Sequence, residues 1–179
     1  MEFTFFQTTA GTRLLSQEIV VGAEHHKVDG VTSQSLPMIT EKEFLASADE
    51  YGRPLFSRII GLAQEKSLPV HWGTKGFSLN ADYKGTHVAI CLVYPPDSVY
   101  RQTIRTALYA RGGVERKTAV PAETIARLKK QAEAIGVFTS AGEDLKCHIT
   151  RDLSHTEIED ILHWCLSVAG EIKKYGLKE

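Results

Sequence analysis

His71, Trp72 and Lys75 stand within five residues of one another, and Arg101 and Arg105 follow four residues apart. An imidazole titrates near neutral pH and can serve as acid or base. An ammonium or guanidinium group holds a phosphate or carboxylate. An indole offers a face on which a ring or a cation stacks. Together the five residues form a candidate binding set for an anionic ligand.

The glycines around Lys75 invite comparison with a phosphate loop. Such a loop needs a longer glycine-rich run that opens a helix, whose free N–H groups hold the phosphate. After Gly73-Thr74-Lys75-Gly76 the pattern is that of a strand, so the nucleotide-loop reading fails. What remains is either a bulged strand or a backbone that a ligand can approach at Gly73 and Gly76. Trp72, Tyr94, Tyr100 and Tyr109 are interleaved with the basic residues. Single-stranded nucleic acid requires that combination, with bases stacked on rings and phosphates neutralised by cations. Trp72 and Tyr100 also fall where core residues would.

Other chemistries find less support. Asp82-Tyr83-Lys84 has the acidic-x-lysine form of a metal-dependent nuclease triplet, but it lies in a turn. The strand that follows carries no acidic partner for it. Glu24-His25-His26-Lys27-Val28-Asp29, and His155, Glu159 and His163 at helical spacing, hold metal-ligating types without a zinc-site pattern. Both groups are expected to face solvent, and no metal or cofactor is expected. Cys91 sits in an apolar run where a thiolate would be desolvated. Cys147 and His148 adjoin on a strand, so their side chains point to opposite faces.

The 179 residues are 42% apolar and 24% charged, proportions of an ordinary globular protein. The net charge of -1 conceals a segregation. From Arg101 to Lys130 eight basic residues face two acidic ones; from Gln131 onward nine acidic residues face five basic. Either the two regions pair within the fold, or the basic one meets a polyanion. The three cysteines are widely spaced in apolar runs and read as reduced core residues. Met1-Glu2-Phe3 does not open a signal peptide, and the apolar run Val88 to Tyr94 is too short to span a bilayer. A cytoplasmic location is expected.

The elements that must position these residues can be read in order. Phe3 to Phe6 and Leu14 to Val21 suggest strands separated by a turn at Thr8 to Thr12, and Val28 to Val31 a further extended piece. Residues 33–37 read as a linker, which makes 1–36 a candidate β-rich subregion of a single domain, 1–179. Thr40 with Glu43 forms a capping box, and Ile39 with Phe44 a hydrophobic staple. Gly52 and Pro54 break that helix near Tyr51 and start a second, which buries Leu55, Ile59, Leu62 and Ala63. A hairpin over about 70–94 follows, turning at Asp82 to Gly85. Tyr100, Ile104, Ala107 and Leu108 then predict a helix over Ser98 to Ala110, with Arg101, Arg105 and Tyr109 on its flank. Pro121 precedes a helix that buries Ile125, Leu128, Ala132 and Ile135. Leu145, Cys147 and Ile149 alternate as a strand, and Ser154 with Glu157 caps the last helix.

The expected fold is α+β: an antiparallel or mixed sheet, with the 70–94 hairpin at its centre, packed by four to five helices. The expected function is a non-catalytic binding or accessory domain that contacts nucleic acid or another anionic ligand. Two alternatives stand beside it. One is an enzyme on a phosphate- or carboxylate-bearing metabolite, with His71 as acid/base and Lys75 as anchor. The other is a homo-oligomeric structural subunit joined through its basic and acidic regions.

Overall fold

A computed structural model of the chain describes residues 2–7, 13–18 and 37–178. The backbone divides into two compact units, Met1–Ser35 and Leu36–Glu179. The first contains an antiparallel pair, β1 (Glu2–Gln7) and β2 (Arg13–Glu18), in the register Phe6↔Leu14. The Thr8 to Thr12 turn, the Val28 to Val31 segment and the Glu24 to Asp29 cluster lie outside the described residues.

The second unit is an α+β fold built on a six-stranded antiparallel open sheet. Its strands are β3 (Val70–Trp72), β4 (Phe77–Tyr83), β5 (Thr86–Tyr94), β6 (Thr103–Thr106), β7 (Thr139–Ala141) and β8 (Asp144–His148). The spatial order is β3-β4-β5-β6-β8-β7, which places β5 inside the sheet as its apolar run requires. The helices are α1 (Glu41–Ser47), α2 (Gly52–Glu65), α3 (Val114–Lys117), α4 (Ala122–Ala134) and α5 (His155–Tyr175).

Local signals place the helices. Both capping boxes form: Thr40 Oγ1 and Ser154 Oγ accept from the N–H groups of Glu43 and Glu157, whose carboxylates accept in return. Arg151 grips the Glu157 carboxylate, and with the Ser154 bonds this holds its pKa down at about 2. The predicted break near Tyr51 separates α1 from α2. There Asp49 accepts from the N–H groups of Tyr51 and Gly52 at 2.9 and 3.0 Å.

One face of the sheet is roofed by helices. Phe77, Val93, Ile104 and Cys147 are direct neighbours across four strands, and all are buried. They meet α2 and α5 through Phe56, Ile59, Ile161 and Cys165 in one hydrophobic core. Trp164 closes the far end, donating from Nε1 to the Leu128 carbonyl of α4 at 2.9 Å.

The helix expected over Ser98 to Ala110 is a turn followed by strand β6. The apolar spacing was compatible with a helix, but Thr103, Ile104 and Thr106 are β-branched and suit a pleated surface. The free edge of β5 supplies a hydrogen-bond ladder on one side, and β8 supplies one on the other. Beyond Thr106 the chain leaves the sheet in a tight turn held by Asp144. That carboxylate accepts from Thr106 Oγ1 and from the N–H groups of Leu108 and Tyr109 at 3.0, 2.8 and 3.2 Å. Ile104, Ala107 and Leu108 are therefore buried for different reasons, and no stripe joins them. The single strand expected to carry Gly73 to Gly76 is also two strands joined by a turn, and the one bulge of this hairpin lies at Leu79/Asn80 instead.

Candidate functional site

The opposite face of the sheet follows from the same alternation. His71, Ser78, Leu92, Arg105, Lys146 and Thr139 are successive partners across all six strands, forming one transverse row. One step along lie Tyr94, Thr103 and His148, again in register. Along this stretch the residues are exposed or half-buried, except Thr103, which lies beneath the loop that joins β5 to β6.

That loop is held in place. Ser98 Oγ donates to the Pro95 carbonyl, Arg101 N–H to the Ser98 carbonyl, and Thr103 Oγ1 to the Tyr100 carbonyl, all at 2.8 to 2.9 Å. Arg101 has φ = 54°, a left-handed conformation that sends its neighbours to opposite sides. Gln102 turns inward and is buried, where it accepts from Asp49 N–H at 3.0 Å and donates to the Ile149 carbonyl at 3.1 Å. Tyr100 turns outward, half exposed, and packs against Tyr94 with ring centroids 4.4 Å apart and the planes tilted by 39°. Burial, then the neighbouring Tyr100 phenol, raises the Tyr94 pKa, so it stays a neutral ring and hydroxyl.

Two depressions meet at this tyrosine pair. One, of about 430 Å³, is bounded by His71, Trp72, the Gly73–Gly76 turn, Ser78, Leu92 and both tyrosines. The other, of about 460 Å³, is bounded by both tyrosines with Val99, Arg101, Thr103, Arg105, Ala141, Lys146 and His148. Lys75, Arg101, Arg105 and Lys146 therefore border a continuous tract whose lining, among the described residues, contains no carboxylate. None of the four forms an ion pair among the described residues. Arg105 donates from Nη2 to the Ala141 carbonyl at 3.3 Å, while its Nε is buried without a partner among the described residues.

His71 lies at one end beside His87, with Nε2 and Nδ1 of the two rings 2.5 Å apart. Asp82 approaches the other nitrogen of His87 at 3.7 Å. Partial enclosure, then the charges of His87 and Lys117, lowers the pKa of His71 below the ordinary imidazole value. A neutral His71 can accept the His87 Nδ1–H at Nε2, its one unprotonated ring nitrogen.

Of the residues selected from sequence, His71, Lys75, Arg101 and Arg105 border the tract. Trp72 touches its edge, but its pairing with Phe77 puts it on the helix side. It is half-buried there against Phe44 and Phe77, at centroid distances of 5.8 and 4.9 Å. Arg101 and Arg105 are brought together by a turn and a strand rather than by a helix. Tyr109 stands apart, its ring facing Lys129. Gly76 is required by packing, not by a ligand: with φ = 138°, an added Cβ would lie 2.0 Å from the Val93 carbonyl oxygen.

Lys146 and His148 were missed, although the signal was present. The buried alternation Leu145, Cys147, Ile149 sends the two residues between to the other face. Burial pushes the Cys147 thiol up to about 11, the counterpart of that arrangement. The +6 segment does not act as one surface. Arg127 pairs with Glu171, Arg116 with Glu115, and Lys117 donates to the His87 carbonyl. On α5, Glu159 is engaged by Arg58.

No family model, curated protein or solved structure matches this chain. The site therefore rests on its own geometry.

Proposed function

We propose that the second unit is a binding domain that holds an anionic ligand on the face of its sheet opposite the described helices. The observation that carries this reading is the tract around Tyr94 and Tyr100. Four basic side chains border it with no carboxylate among the described residues of its lining, in a chain whose net charge is -1. Unpaired cations on a folded surface repel one another and raise the local potential, and an anion relieves that repulsion. The fixed loop means little ordering entropy is lost on binding. Buried reduced cysteines at 91, 147 and 165 fit the proposed cytoplasmic setting.

The test is retention on immobilised heparin at low salt, with the unaltered chain compared to the R105Q/K146Q double variant. The reading expects retention of the first and loss of most retention by the second. Equal elution of the two would overturn it.

A second reading has one observation in its favour. His71 and Lys75 border the same depression, as an enzyme on a small phosphate- or carboxylate-bearing metabolite would need. It predicts that His71→Gln abolishes turnover of such a metabolite while leaving heparin retention near that of the unaltered chain.

A further inference from the structure

The proposed anion site has a shape and a chemistry that select among anions. We infer that its ligand is single-stranded nucleic acid, laid across the strands with a base stacked on Tyr100. This rests on the anion-binding reading above and makes it more specific.

The combination of groups is selective. A simple anion needs cations alone. Here the cations flank an aromatic platform made of Tyr100 backed by Tyr94, centroids 4.4 Å apart, at the point where the two depressions join. Tyr100 is 50% exposed and its neighbour Val99 76% exposed, so an apolar, ring-bearing surface stands in the middle of a basic one. Bases have faces that stack on such a ring, and their phosphates seek the cations on either side. A duplex keeps its bases stacked within itself and offers this platform nothing.

The length of the face fits as well. The row from His71 to Thr139 crosses six strands. At the usual strand spacing it spans about 24 Å. That suits a short tract, near the lower end of about four nucleotides for sheet-based single-strand sites. Lys75 lies toward one end, while Arg105 and Lys146 lie toward the other.

The platform is preorganised. Tyr100 sits on a turn fixed by three hydrogen bonds and anchored by buried Gln102. A surface ring with no ligand to meet gains little from being held this way. A stacking platform gains affinity from it.

The test is fluorescence anisotropy with a short fluorescein-labelled oligothymidylate, a labelled duplex and labelled heparin. The full chain is compared with Tyr100→Ala and Tyr100→Phe, and circular dichroism confirms that each variant is folded. The inference expects the oligothymidylate to bind more tightly than the duplex. It expects Tyr100→Ala to weaken that binding about tenfold, the order of one lost base stack. Tyr100→Phe, which keeps the ring, should retain it, and Tyr100→Ala should weaken heparin binding, which has no base to stack, by much less than tenfold. If heparin binds but the oligothymidylate binds no better than the duplex, or is indifferent to Tyr100→Ala, the inference fails and the anion-binding reading survives. If neither polyanion binds at low salt, both fail.

Discussion

Two rows of residues, one step apart in the same strands, divide this molecule. Phe77, Val93, Ile104 and Cys147 face the helices, are wholly apolar and are buried. Ser78, Leu92, Arg105 and Lys146 face away, are half-buried or exposed, and include two cations without carboxylate partners among the described residues. A period of two puts adjacent residues under different demands. The inner row carries stability, and the outer row is free to carry a ligand.

The largest expected effect breaks the inner row. Ile104→Ala removes a fully buried side chain and should destabilise the fold by about 2–5 kcal/mol, read by urea unfolding. Its neighbour gives the contrast: Arg105→Gln should shift stability by no more than about 1 kcal/mol while weakening anion binding. A loss of stability from Arg105→Gln as large as that from Ile104→Ala would erase the distinction.

Gly76→Ala tests the join between the rows. The new Cβ meets the Val93 carbonyl, and the left-handed backbone adds strain, so a loss of about 1–3 kcal/mol is expected. Because Lys75 rides on the same turn, binding should weaken as well, which Ile104→Ala in its folded fraction should not cause.

Ser154→Ala is remote from both rows. It removes the α5 capping box and should cost about 1 kcal/mol in thermal or chemical unfolding, with binding unchanged.

The smallest effect concerns pH. His71 titrates lower in the folded chain than its ordinary value of 6.5. The unfolded chain therefore takes up this proton first as pH falls. The stability tied to neutral His71 is complete above the ordinary value and is lost as pH drops toward the lowered one. His71→Gln should flatten the part of the acid-side decline in unfolding midpoint that lies between those two values.

Much of this division was legible before the structure. The two capping boxes, the break near Tyr51, the Asp82 to Gly85 turn and the alternation in β8 each rest on local chemistry that the fold leaves unopposed. The segment from Ser98 to Ala110 was not legible, because its apolar spacing fits a helix and a strand followed by a turn equally well. What decides it is distant in sequence: the β8 edge, and an Asp144 carboxylate that collects three donors. The site suffered in the same way. The spacing picks out Arg101 and Arg105 only as a helix flank, and Lys146 joins them because β8 pairs with β6. Gln102, whose side chain fixes the Tyr100 loop, carries no sequence signal of its own.

The central claim is that the sheet face opposite the described helices, and not the basic composition at large, binds the anion. It is tested most directly by the salt dependence of oligothymidylate or heparin affinity, measured for the unaltered chain, Arg105→Gln and Arg127→Gln. Arg127 is equally basic but pairs with Glu171 on the helix side. The account predicts a lower affinity for Arg105→Gln and a salt slope reduced by about one, with Arg127→Gln matching the unaltered chain. Equal losses from both variants, or none from Arg105→Gln, would contradict it.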